Sequence, residues 1–205
     1  TGERAMQTIT TIEALEDLYD AAVPTSLTKV APRITLLYRQ WIEASRFCVV
    51  STVGPEGVDG SPRGDDGPVV TLLSDTELAL PDWRGNNRID SLRNIVRDGR
   101  MSLMFMVPGS RNVVRVNGQG VLSVDPALLE RFEKGGKRPK AVIVLRVGEV
   151  YFQCAKAVMR AQIWSGVDES AAVPTAGQMV READAGFDAE SYDAGYEDYA
   201  KPRMW

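Results

Sequence analysis

Residues 101–124, MSLMFMVPGSRNVVRVNGQGVLSV, decide the fold. Two apolar, β-branched runs flank the Pro108-Gly109 turn signal, which is the pattern of two strands folding back on each other. In NVVRVNGQG the side chains alternate: Val114 and Val116 take one face of a strand, and Arg115, Asn117 and Gln119 take the other. That polar row is either a solvated outer face or a line of donors along a ligand groove. Period alone does not choose between them.

Working outward, further strands appear on both sides. FCVVSTV (47–53) precedes the turn Gly54-Pro55-Glu56-Gly57, and PVVTLLS (68–74) and ELALP (77–81) are separated by Asp75. AVIVLRVGEVYF (141–152) completes a set of six strands joined mostly by short turns. Such an order predicts an antiparallel barrel or sandwich rather than a βαβ sheet. Two helices interrupt the strands. RIDSLRNIVRD places Ile89, Leu92, Ile95 and Val96 on one face, and PALLERFEKG carries Pro126 in its first turn. Upstream, TIEALEDLYDAA (11–22) reads as a helix capped by Thr10 or Thr11 and ended by Pro24. ITLLYRQWIEAS reads as another, with Leu37, Trp41 and Ile42 on its buried side. The organisation expected is a helical extension over 1–45 packed on a core at 46–165, then an acidic extension at 166–205 with partial order at best.

Composition narrows the chemistry. The 205 residues are 44% hydrophobic and 25% charged, an ordinary globular balance, and they include no histidine. This removes the imidazole base of hydrolytic triads, the usual zinc sites and a His-ligated haem, so no metal site is expected. Two cysteines are too few for a disulfide framework. Cys154 has no histidine to activate it and reads as a buried structural thiol. From Glu182 to Trp205 seven acids face Lys201 and Arg203, a local charge of −5, and the other residues are nearly neutral. A near-neutral body argues against nucleic acid as a partner. No apolar run approaches a membrane span and no signal-peptide pattern opens the sequence, which gives an expectation of a cytoplasmic protein without a membrane partner.

The densest polar stretch is PDWRGNNRIDSLRN (81–94), which leads from a strand into a helix. Asn86 or Asn87 is placed to cap that helix, with Asp90 at its third position. Its free N–H groups and dipole make an anion site, to which Arg88 and Ser91 add donors. A plain capped surface helix fits the same residues. In GSPRGDDG (60–67), glycines and Pro62 around Arg63 suit a turned backbone beside a ligand, or an ordinary hairpin loop. Lys156 and Arg160 stand one turn apart before Trp164, either as phosphate contacts or as a surface stripe. GGKRPK (135–140) reads as a loop.

FCVVSTVGPEGVDGSPRGD, ELALPDWRGNNRIDSLRNI and MSLMFMVPGSRNVVRVNGQG occur in an order that resembles the pyridoxamine 5′-phosphate oxidase-like flavoproteins. The similarity is closest to their FMN-binding branch with SPRGD, GNNR and RVNG segments, extends to FQCAKAVMRAQIW, and covers roughly residues 33–165. It implies a mainly β fold with flanking helices, a six-stranded antiparallel split β-barrel. It also implies a homodimer with FMN in a groove at the subunit interface. Carried over by position, Arg88, Asn87 and Ser91 hold the phosphate, and Asn86 is a further cofactor-binding residue. Ser61, Arg63 and Gly64 run alongside the isoalloxazine, Pro81 and Asp82 meet the ring or ribityl chain, and Arg115 and Asn117 add polar contacts. Lys156, with Arg160 and Trp164, is a weaker candidate acting from the partner chain. Pyridoxamine 5′-phosphate oxidases proper use an Arg-x-His pair near their C-terminus. This chain has no histidine, and AKPRMW does not reproduce that segment, so the resemblance does not extend to their substrate. What it implies is an FMN-dependent oxidoreductase of unknown substrate. The alternatives are a flavin-storing module without turnover and a deazaflavin-dependent reductase; a nucleic-acid or protein-interaction barrel fits the composition poorly.

Overall fold

Seven antiparallel strands build the body of the protein, in the spatial order β2-β1-β5-β6-β7-β4-β3. They are β1 (Phe47–Gly54), β2 (Gly57–Gly64), β3 (Thr71–Leu72), β4 (Glu77–Asp82), β5 (Arg100–Met106), β6 (Val113–Ser123) and β7 (Ala141–Gln153). This computed structural model describes residues 6–205; the part of the expected 1–45 extension that falls on 1–5 lies outside the described residues. The chain forms two compact units, Thr1–Val30 and Ala31–Trp205. In the first, α1 (Ile12–Glu16) is capped by the Thr11 side chain and α2 (Pro24–Thr28) follows. The helix expected over 11–22 is thus only five residues long, because none of its apolar residues is buried and a short unpacked helix is marginal. Pro24 opens the next helix instead of only ending the last, as its missing N–H permits at a first position.

The second unit carries α3 (Leu36–Ala44), α4 (Asp90–Arg97), α5 (Pro126–Glu130), α6 (Lys156–Ala161), α7 (Ala176–Ala183) and α8 (Ala189–Ala200). Its core is the inward face of the sheet. Cys48 and Val50 of β1, Leu103 and Phe105 of β5, Val114 and Val116 of β6, and Leu78 and Leu80 of β4 are all buried, at the alternate positions a pleated strand presents. On β7 Ile143, Leu145 and Val147 are buried at alternate positions, and then Val150, with Val142 buried beside them. The parity changes because the β6–β7 register shifts at Asn117/Gly118, where Gly148 is left unpaired. Gly118 belongs to this bulge: an added Cβ would lie 2.0 Å from the Arg146 carbonyl oxygen.

The fold class expected from the sequence holds, with seven strands rather than six. The added strand is β2, whose GVDGSPRG has little strand propensity. It exists because all eight of its residues pair with β1, and as an outer strand it tolerates Pro62. The run PVVTLLS pairs only at Thr71 and Leu72; Val69 and Val70 are buried without joining the ladder. In α3, Ile42 is fully buried and Trp41 partly, but Leu37 is exposed, and Tyr38 takes its place against the core. In α4, Ile95 is buried while Ile89 and Val96 are exposed; Ser91 and Asn94 share the inner face instead. That face is polar because α4 lies on β1, where Asn94 Nδ2 donates to Thr52 Oγ1 at 3.1 Å. Residues 176–200, expected to be partly ordered at best, form two helices. The two are held together by Asp193 of α8, which accepts from the Gly177 amide at 2.8 Å and from the Thr175 hydroxyl at the start of α7. Among the described residues no helix is long and apolar enough to cross a membrane.

Candidate functional site

A polar groove of about 750 Å³ runs along the open side of β2, within the size range of small-molecule and cofactor sites. β2 supplies Asp59 to Gly64, the end of β4 supplies Leu80 to Asp82, and the loop after it carries the wall into the start of α4. β2 and β4 lie near opposite ends of the strand order, so the sheet must curl to bring them together. Arg63 and Asp82 close that curl with an ion pair of 2.8 Å whose side chains are only 22% and 16% exposed. The Trp83 indole reinforces it by donating to Asp65 at 3.2 Å. Arg63 Nε is buried without a partner, although the same guanidinium is bonded through Nη1.

The other end of the groove has a different construction. Ile89 precedes α4 at φ 53° and Asn87 at φ 62°, both left-handed, with Arg88 between them. Left-handed backbone is expensive for a β-branched residue such as isoleucine. Neither asparagine caps the helix as expected: Ile89 is the capping residue, and no side chain closes the first turn. Asn86 Oδ1 instead accepts from the Arg88 amide at 3.0 Å. Helix-start N–H groups without a side-chain cap favour an anion. Arg88 is exposed and paired with Asp90 at 3.0 Å, and the buried Ser91 hydroxyl donates to Asp59. Internal carboxylates therefore occupy the two donors assigned to a phosphate.

Nine of the sequence-predicted residues line this groove: Ser61, Arg63, Gly64, Pro81, Asp82, Asn86, Asn87, Arg88 and Ser91. Arg115, Asn117 and Lys156 do not. Arg115 lies over the Tyr151 ring, 5.6 Å from its centre. Asn117 Nδ2 donates to Glu149 at 2.7 Å, while its Oδ1 is buried without a partner. Lys156 opens α6, away from the groove. Gln119 is exposed while Asn117 is only half-buried, so the polar row fades along β6.

Several groove residues had no sequence signal of their own. Asp59 is hidden in a strand without strand propensity. Lys140 lies beside the groove because Ala141 pairs with Asp82, and its Nζ reaches Asn87 Oδ1 at 3.4 Å. Lys134 binds both Asp65 and Asp66; burial opposes its charge, but the two carboxylates outweigh that and hold its pKa above the ordinary lysine value. The basic letters of EKGGKRPK were the only available hint for these two lysines. Cys48 faces Arg63 across the β1–β2 ladder, and burial pushes its thiol up to about 12 although the guanidinium pulls the other way. Cys154 is exposed, not buried as expected, because β7 ends at Gln153 and leaves it outside the ladder.

The residues present fit a phosphate-bearing planar cofactor. Gly60 and Gly85 border the groove, and an added Cβ at either would meet no protein atom, so their backbone faces open space. Cationic donors stand at both ends, and a strand edge lies between them.

Fold and groove together define a mainly β domain whose curled antiparallel sheet carries a cofactor-sized polar site at its edge. A family model described as pyridoxamine 5′-phosphate oxidase matches residues 34–154, more than half of the sequence, and the chain belongs to that family. Its split β-barrel is a fold of flavin-binding, oxidoreductase type, in a family that typically binds a flavin and is commonly dimeric. Among solved structures, HupZ of Group A Streptococcus is 22% identical with a TM-score of 0.46, over 57% of this chain and 91% of its own. General Stress Protein 26 of Bacillus anthracis is 16% identical with a TM-score of 0.43, over 56% and 88%. No curated protein sequence matches the chain.

Proposed function

We propose that the protein is an FMN-binding oxidoreductase of the pyridoxamine 5′-phosphate oxidase type whose core is residues 46–165. The observation that carries this reading is one continuous groove joining an uncapped helix start, with Arg88 and Ser91, to the strand-borne Arg63 and Asp82. Bound there, the flavin would supply hydride transfer at its ring. Arg88, Ser91 and the first amides of α4 hold the phosphate, with Asn86 and Asn87 shaping the loop. Ser61, Arg63 and Gly64 lie along the ring system, where Arg63 offers positive charge to a reduced, anionic ring. Pro81 and Asp82 form the facing side. None of these roles needs a histidine.

The protein acts as a homodimer in this reading. Arg115, Asn117 and Lys156 lie outside the groove of their own chain and complete that of a second copy. A scattering measurement that finds a monomer with FMN bound overturns the composite site.

The direct test is an FMN titration of the purified protein with riboflavin as the phosphate-free control. Tight FMN and weak riboflavin binding are expected; equal affinities would remove the phosphate assignment, and binding of neither would remove the flavin.

A further inference from the structure

The groove has one wall that the sequence-predicted site does not use. Tyr196 of α8 and Met204 beyond it both line the groove, and neither is among the residues assigned to the cofactor. Their segment is tied down at two points. Lys134 Nζ lies 5.1 Å from the centre of the Trp205 ring, and Lys137 Nζ donates to the Pro202 carbonyl at 3.1 Å. Both lysines belong to one tight turn, in which the amides of 134 and 137 bond each other's carbonyls. Lys134 also binds Asp65 and Asp66, and Asp65 holds the Trp83 indole. A single lysine therefore links the far wall to the rim of the groove. Farther back, α8 is braced on α7 through Asp193 and through the Arg181–Glu190 pair.

We propose that segment 188–205 is the access wall of the groove: Tyr196 and Met204 determine which molecules reach it, and Trp205 positions them through its contact with Lys134. The assignment to a flavin groove rests on the reading above, but the seating of the wall does not. Tyr196 and Met204 are both about half exposed, so each has surface free to meet an incoming molecule. A rim contact of this kind is weak, because an exposed cation–π pair changes a population by only about two- to fivefold. The wall is thus held in place yet gives readily, which suits a site that must admit a second molecule after its cofactor.

The experiment uses the full chain and its Trp205→Ala, Trp205→Phe and Lys134→Gln variants. In the protein without flavin, amide hydrogen exchange over 196–204 is expected to rise about two- to fivefold in Trp205→Ala and Lys134→Gln, and to return toward the parent in Trp205→Phe. The melting temperature of Trp205→Ala should stay unchanged, whereas Lys134→Gln is expected to melt lower because it leaves the nearly buried Asp65 carboxylate without its partner. With FMN bound, acrylamide quenching of the flavin fluorescence is expected to rise about twofold or more in Trp205→Ala, with FMN affinity unchanged. Identical exchange in parent and Trp205→Ala overturns the wall. So does identical quenching in two proteins that both bind FMN. If the parent binds no FMN, the flavin reading falls and the exchange comparison alone decides the wall.

Discussion

The two ends of the groove each carry an arginine paired with an aspartate, and the pairs are built on opposite principles. Arg63 and Asp82 sit on strands, are mostly buried, and close the sheet on itself. Arg88 and Asp90 sit where a loop enters a helix, and the Arg88 side chain is 78% exposed. Breaking the first pair strands a charge inside the fold, whereas breaking the second returns two charges to water at almost no cost. The strand end is therefore architecture that a ligand must accept as it stands. In the flavin site proposed above, the helix end holds donors that an incoming phosphate would take over.

The largest expected effect lies at the strand end and concerns pH. Cys48 stands opposite Arg63, its thiol pushed from 9.0 up to about 12 by burial. Between those values the folded protein keeps a proton that the unfolded chain gives up, so stability falls as pH rises. The slope for this one group is about 1.4 kcal/mol per pH unit. Urea unfolding between pH 9 and 11 should show that slope in excess of the slope for Cys48→Ala. Parallel profiles for the two proteins would mean that this end of the groove is wetter than its burial implies. Alkylation at neutral pH should meanwhile modify Cys154 in the folded chain and leave Cys48 untouched.

Next in size is a direct comparison of the pairs. Asp82→Ala is expected to cost about 2–3 kcal/mol, somewhat below the figure for a fully buried pair because both side chains retain some exposure. Asp90→Ala should change stability by less than about 0.5 kcal/mol. Urea midpoints for the two variants measure the difference, and equal losses would break the distinction. Removing Asp90 should also free Arg88 and tighten FMN, whereas Arg88→Ala should weaken FMN by about 1.5–3 kcal/mol, the scale of a charge-assisted hydrogen bond. Weaker FMN binding in Asp90→Ala would show that this carboxylate orients the arginine rather than competing for it.

The same contrast explains what could be read from the sequence. β5, β6 and β7 are legible because a half-buried strand advertises itself by alternation, as with Leu103 and Phe105 inside and Ser102 and Met104 facing outward. β2 is illegible for the opposite reason: its order comes from pairing with β1, and long-range pairing leaves no local pattern in GVDGSPRG. At the site, Arg88, Ser91 and Arg63 could be found because their chemistry is unusual where they stand. Lys140 and Tyr196 could not, since register and the packing of α8 bring them to the groove from 50 or more residues away, and neither depends on local sequence. The capping asparagines failed through competition. Asn86 spends its side chain on the Arg88 amide, which leaves the helix start open.

The smallest effect tests whether that open start is maintained at a cost. Ile89 holds a left-handed conformation, φ 53°, that a glycine adopts freely, and its side chain is 46% exposed. Ile89→Gly should therefore stabilise the fold by about 0.5–1 kcal/mol, against the usual direction for introducing glycine. A strained residue that persists beside a ligand site is expected where geometry matters more than stability. If the strain serves the anion site, the more stable variant should bind FMN less well, because a freer loop must be ordered again around the phosphate. A variant both more stable and equally tight would show that Ile89 merely ends a loop, and the helix end would then owe its anion site to Arg88 and Ser91 alone.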